Sequence, residues 1–469
     1  MLGNFRDGIR SSSHVRQNVG LAGDLPRSGE RGYGSGIDRR GFLRLGSLAG
    51  LSLADVLRLQ HATGADATSK KDVNCIFIFI IGGMAHQDLW DVKTEAPAEI
   101  RGDFQPIRTK VPGIDVSEIL PHIAGVTDKL AILRSLTHGD SDHTAGYHVM
   151  MTGQHPGFGG NFNRNVTNNN MHPSFGSMVA KLGGNSGKLP PYISVPNFIS
   201  SGGPSFLGPS YSPFVIEADP ASPEFSVRDI VLPDGITSDR SLRRQSALRA
   251  INRFEQQVDA VSKQEQSLDT FYEKAYQLMT SSAAKQAFEI DRESTATRDA
   301  YGMTSVGQCC LLARRLVEAG CRFVSIENGH WDTHRKNTES LRDLLVPALD
   351  QGLAALLNDL EQRGQLDNTL VVLTTEFGRT PRINVMAGRD HWPQAFSIVM
   401  AGGGLKRGLT IGATDKQAAS VIDRPITPSD MAATLLTALG IDPDITLHTP
   451  LGRPVQLAGG GRPVRELFA

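Results

Sequence analysis

Cysteine is scarce in this chain: four residues among 469, with no CxxC pair and no zinc-ribbon spacing. That excludes a cysteine-built zinc ribbon, and Cys75, Cys309, Cys310 and Cys321 are expected to be buried thiols, with one disulfide left open in an oxidising compartment. Net charge is equally scant, since 48 Lys and Arg face 49 Asp and Glu. Nothing in that balance favours nucleic acid or an anionic membrane surface. Long apolar runs are missing too; the continuous stretch Val73–Ile81 is too short to span a bilayer. No Gly-x-Ser-x-Gly elbow is present, which argues against a triad esterase.

What remains is a chain with 39% hydrophobic residues, enough to bury a large core. One large domain over 71–469, carrying a helical insertion at about 239–298, is expected rather than three small ones. Residues 1–37 are rich in Gly, Ser and Arg and lack periodicity, so they read as a disordered extension. Asp38-Arg39-Arg40-Gly41-Phe42-Leu43-Arg44 then precedes the mildly apolar Leu45–Leu53 and the small-residue site Ala65-Asp66-Ala67. This arrangement over 38–70 resembles a twin-arginine export signal. It implies the twin-arginine translocation machinery as a partner, a periplasmic or extracellular address, and no stable membrane span after cleavage.

Along the mature chain, Val73–Ile81 is too continuous to be half exposed and reads as a central parallel strand. Leu130–Leu136, Cys321–Ile326, Leu370–Thr374 and Ser397–Ala401 read as further strands. Helices are expected near Pro173–Leu182, over Gly307–Ala319 and Leu341–Arg363, and over Pro428–Leu439 with Thr427 as its cap. Residues 156–215 read as long loops around a substrate mouth. The polar stretch Asp239–Arg298 spaces Leu248, Ile251, Phe254, Val258 and Val261 three to four residues apart, as a helical flap would. Strands alternating with helices predict an α/β fold around a mostly parallel sheet.

Acids and histidines gather where such strands end. Asp332, His334 and Glu376 would emerge at carboxyl ends of sheet strands, where open α/β sheets bind ligands. Extended backbone would turn His330, Asp332 and His334 to one side. His391 follows Asp390, which could orient it or itself be the ligand. Carboxylates beside imidazoles suit one or two divalent ions, zinc, manganese or iron better than calcium alone. Arg379 could clamp an anionic substrate or pair with Glu376. His138, Asp140, Asp142, His143, His148 and His155 crowd one short span, in which His148 could bind the substrate anion or serve as acid or base. Trp331 and Trp392 read as packing walls.

These segments together resemble a bacterial sulfatase-like family of undetermined function within the alkaline phosphatase superfamily. The likeness rests on Gly82-Gly83-Met84-Ala85-His86-Gln87-Asp88, the span His138–Gly153, Leu311–Gly320, Glu376–Pro381 and Gly388–Pro393. It implies an alkaline-phosphatase-like three-layer sandwich and a metal-dependent hydrolase of phosphate or sulfate esters, with carbohydrate or other extracellular esters as substrates. By position it implies Asp88 or His86 as the first-strand ligand, followed by Asp332, His334, Glu376 and His391. Phe377 stands where the superfamily has a histidine, which removes a nitrogen ligand. Counting back from Thr152 places the nucleophile at His143 or Thr144, of which Thr144 at a helix N-terminus is the better hydroxyl candidate. The formylglycine motif Cys-x-Pro-x-Arg is absent, so the ordinary sulfatase mechanism is not implied. The competing class is a non-catalytic envelope protein that keeps the fold and binds a glycan or a protein.

Overall fold

In the computed structural model the residues described are 72–156, 172–184, 189–227 and 281–468. The extension and leader expected over 1–70 lie outside them, as does the part of the expected insertion before residue 281. The described residues belong to one compact unit, Ser69–Ala469.

The eight-stranded sheet consists of β1 (Asn74–Ile80), β2 (Leu130–Leu136), β3 (Tyr192–Val195), β4 (Phe214–Val215), β5 (Phe323–Asn328), β6 (Thr369–Thr375), β7 (Phe396–Gly402) and β8 (Leu409–Ile411), in the order β8-β2-β7-β6-β1-β5-β3-β4. β1 pairs in parallel with both β5 and β6, and β7 is the one strand that runs against its neighbours, β2 and β6.

The alternation of side chains along β1 explains its unbroken apolar sequence. Ile76, Ile78 and Ile80 enter one buried cluster, and Cys75, Phe77 and Phe79 enter another on the opposite face. Each fully buried side chain of this size is worth roughly 1.5–3 kcal/mol, so neither face can be left wet. The first cluster is completed by helices α3 (Ser305–Glu318) and α4 (Val346–Gln362), through Leu312, Leu316, Leu353 and Leu357. The second is completed by α1 (His143–Thr152), α2 (Phe175–Leu182) and α5 (Pro428–Ala438), through Val149, Met178 and Leu435. The result is a three-layer α/β sandwich. All four cysteines are buried and unbonded, which closes the disulfide alternative.

Two expectations need correction. The region 156–215, read as loops, contains the strands β3 and, at the sheet's edge, β4; four and two residues respectively give too short an alternation to stand out, β3 lying between Pro190, Pro191 and Pro196. The helix expected from Leu341 opens with a π turn, Leu341–Leu345, before α4 begins. Pro347 has no amide to offer the preceding turn, and the widened turn lies just before it.

Candidate metal centre

The carboxyl ends of β1, β5 and β6 meet the start of α1. Glu376 follows β6 directly and is fully buried. The chain leaves β1 at Gly82, whose N–H donates to Glu376 Oε1 at 2.6 Å. Gly82 has φ 122°, and a Cβ there would lie 2.2 Å from the Asp332 nitrogen. Only glycine lets this turn pass so close to the loop after β5. Along that loop His330 takes φ 74°, which breaks the extended alternation. His330 is therefore exposed, while Asp332 and His334 reach the same centre. His391 arrives on a two-residue ribbon, His391–Trp392 paired with Gly378–Arg379. His143 is the first residue of α1, after the N-cap Asp142.

Hydrogen-bond partners assign the imidazole protons. His391 Nδ1 faces the Ser141 carbonyl oxygen at 2.7 Å, so it must donate. His143 Nδ1 faces Glu376 Oε1 at 2.9 Å, and His334 Nδ1 faces Asp390 Oδ1 at 2.6 Å. Each Nδ1 is thus committed to an oxygen, and each Nε2 turns toward Asp332. His143 Nε2 lies 3.4 Å from Asp332 Oδ2, and the Nε2 atoms of His334 and His391 each lie 3.1 Å from Asp332 Oδ1. The last two nitrogens are 3.0 Å apart. His143, Asp332 and His391 have donor atoms all within 4.8 Å of one another.

This donor set fits a divalent transition ion. Two imidazole nitrogens bound at about 2.0–2.1 Å in a tetrahedral site lie roughly 3.3 Å apart, near the separation of His334 and His391. Histidines tied by the other ring nitrogen to an oxygen are the usual partners of such ions. Burial pushes the Asp332 carboxyl up, but the hydrogen bond and charge of Arg379, with His391 and His143, outweigh it and hold it at about 2. Burial pushes His143 down, yet its hydrogen bond to Glu376 and the charges of Glu376 and Asp332 raise it above its ordinary value. Burial also lowers His391, against the Ser141 contact and with Arg379 adding to the fall.

Phe377 is fully buried and stacks on His391 with ring centroids 4.4 Å apart at 29°. Its ring is 5.1 Å from that of His143. It forms the apolar wall that sets both imidazoles. Trp331 is buried, and Trp392 donates to the Ala419 carbonyl at 2.8 Å, both in packing roles.

Several candidates stand elsewhere than expected. Arg379 is fully buried and spends its guanidinium on Asp332 and on the carbonyls of Gly82, Gly83, Trp331 and Arg389, leaving no fork for a substrate. Asp88 receives Arg389 at 2.8 Å on each oxygen and Asn337 at 2.7 Å. It is the anchor of the Arg389 turn, outside the cluster. His86 is buried and donates Nε2–H to the Ala418 carbonyl at 2.9 Å. His148 is buried against His172, Nε2 to Nδ1 3.0 Å, and takes no part in the cluster. Thr144 is half-buried beside His143, but its amide and that of Ala145 are already received by Asp142 Oδ1 at 3.0 and 3.4 Å. The open amides expected for an anion at this helix start are thereby filled by the chain's own cap. Glu376 stands behind His143 rather than beside Asp332. Asp390 orients His334, not His391. The Ser141 carbonyl and the packing of Phe377 on the imidazoles were missed, since a backbone oxygen and an apolar ring leave no chemical mark in a sequence.

Among similar solved structures, a protein in the alkaline phosphatase superfamily from Vibrio parahaemolyticus is 11% identical, with 85% of this chain and 71% of that chain covered and a TM-score of 0.41. A phosphonate monoester hydrolase from Silicibacter pomeroyi is 14% identical over 84% of this chain and 76% of that one, with a TM-score of 0.35. The PsFucS1 sulfatase from Pseudoalteromonas sp. is 14% identical over 87% and 77%, with a TM-score of 0.36. No curated protein matches the chain. A family model covers residues 72–468, nearly the whole described unit, and the chain belongs to that family, DUF1501, whose description is "protein of unknown function".

Proposed function

We propose that the protein is an exported, metal-dependent hydrolase of phosphate or sulfate esters, of the alkaline phosphatase type. The observation that carries this reading is the meeting of three Nε2 atoms on one carboxylate, with His334 and His391 3.0 Å apart. Two facing lone pairs hold that distance only with a positive particle between them, a proton or a metal ion. His143, His334, His391 and Asp332 would hold the ion. When bound, it supplies positive charge that polarises a phosphoryl or sulfuryl oxygen. Glu376, Asp390 and Ser141 fix the three rings, Phe377 excludes water behind them, and Thr144 offers a hydroxyl one residue from His143. Asp332 and Asp390 are both exposed carboxylates, and Arg379 is withdrawn, so an anionic ester needs that added charge.

The test is metal analysis of purified protein alongside turnover of an aryl phosphate and an aryl sulfate. A transition ion bound with the chain, and turnover abolished in Asp332→Asn, supports the hydrolase. Absence of both metal and turnover would remove it. The internal commitment of Arg379 and of the first α1 amides favours a second reading, a non-catalytic envelope protein that binds a glycan or a protein; turnover of any ester would set that reading aside. Export rests on the Arg39-Arg40 segment, and replacing both arginines with lysine should leave the protein in the cytoplasm on fractionation.

A further inference from the structure

We infer that the centre holds a single ion, and that Glu376 is a positioning residue for it rather than a ligand. The inference rests on the metal reading above and adds the number of ions and the role of each remaining donor.

The argument is a count of lone pairs at this end of the sheet. Glu376 Oε1 accepts from Gly82 N and His143 Nδ1, and Oε2 accepts from Thr375 Oγ1 at 3.0 Å. Asp88 is filled by Arg389 and Asn337. His138 donates Nε2–H to the Glu376 carbonyl at 2.7 Å and accepts the Asp140 amide on Nδ1 at 3.1 Å. His86 gives its proton to Ala418, and its Nδ1 is buried against Gly378, where a Cβ would lie 2.9 Å away. Asp390 is held by His334 and by Asn384 at 3.3 Å. What stays directed at one shared centre is three Nε2 atoms and the Asp332 carboxylate, whose Oδ1 also accepts from Arg379. His143, Asp332 and His391 bring donor atoms within 4.8 Å of one another, and His334 Nε2 lies 3.0 Å from His391 Nε2, a set the size of one ion's ligand shell. Among the described residues no second group of this kind occurs. Where a further imidazole could have joined, the Phe377 ring is stacked on His391.

Glu376 then acts through His143. Its buried carboxylate keeps the proton on Nδ1 and so leaves Nε2 as the ligand atom. Loss of such a partner characteristically lowers metal affinity about 10–100-fold without removing the site.

The experiment titrates metal-free protein with Co2+, following its visible absorption, with Zn2+ as competitor and elemental analysis of the loaded protein. One equivalent per chain is expected for the natural protein and for Glu376→Gln, with affinity in the variant down about 10–100-fold and circular dichroism unchanged. Asp332→Asn with His334→Ala should bind none. Two equivalents in the natural protein, falling to one in Glu376→Gln, would overturn the single-ion centre and make Glu376 a ligand while leaving the hydrolase reading intact. No binding at all would overturn the metal reading itself. Unchanged Co2+ affinity in Glu376→Gln would refute the positioning role.

Discussion

At the scale of single residues, the site is a set of locked protons, and its consequences are separable by substitution. His334→Ala should reduce bound metal while leaving the fold intact, because His334 is partly exposed and its ring partners are other site residues. Elemental analysis with a thermal melt checks this; wild-type metal content would show that His334 is no ligand. Asp88→Ala should behave in the opposite way. It strips a fully buried Arg389 of its carboxylate, and losing one partner of a buried pair costs about 3–5 kcal/mol. Chemical denaturation should show that loss, and a change under about 1 kcal/mol would mean the pair behaves as a solvated one. The difference between these two residues shows what was legible. Both lie near strand ends in acid and histidine segments, which composition and spacing reveal. Which of them faces Arg389 depends on contacts 301 residues apart, and no local pattern records that. Arg379 illustrates the same point: an arginine in a turn reads as a clamp until its carbonyl acceptors are seen.

At the scale of elements, the long periodic pieces were readable and the short ones were not. β1 was expected over Val73–Ile81 and runs Asn74–Ile80; α3 was expected over Gly307–Ala319 and runs Ser305–Glu318. Seven to fourteen residues of consistent burial carry enough signal to overcome local noise. Strands of two to four residues do not. The start of α5 was readable for a different reason, its capping chemistry. Thr427 accepts the Asp430 amide at 3.2 Å, and Asp430 accepts the Thr427 amide at 3.0 Å. Thr427→Ala should therefore cost about 1 kcal/mol in urea denaturation, with Thr427→Ser recovering most of it. Gly146 serves α1 in a similarly local way: a Cβ there would lie 2.9 Å from that of Glu376. Gly146→Val should push α1 off the end of β6 and weaken metal binding in the Co2+ titration, whereas undiminished affinity would show that the helix can give way.

For the whole molecule, acid should act through the buried His148 on α1 and its partner His172. Burial, with His172 and His155 adding to it, holds His148 down at about 3, and burial with Arg453 holds His172 at about 4, against an ordinary value of 6.5. Both bases are lowered on folding, so between those values the unfolded chain binds more protons. Stability is then full above pH 6.5 and falls as pH drops below it. His148 alone steepens that fall by up to about 1.4 kcal/mol per pH unit. Replacing it with Gln should flatten urea stability between about pH 6 and pH 4; an unaltered slope would locate the acid sensitivity elsewhere.

The carboxylate of Glu376 joins the turn leaving β1, the end of β6 and the first residue of α1 through one pair of oxygens. Occupancy of the centre and integrity of the sheet's carboxyl edge are therefore linked quantities. An ion that binds the native state alone raises the unfolding free energy by RT ln(1 + [L]/Kd), about 2.7 kcal/mol at a hundredfold excess over Kd. Chelation should consequently lower the melting temperature in step with metal loss, and a chain folded before loading would be the more fragile of the two forms to heat and proteolysis alike.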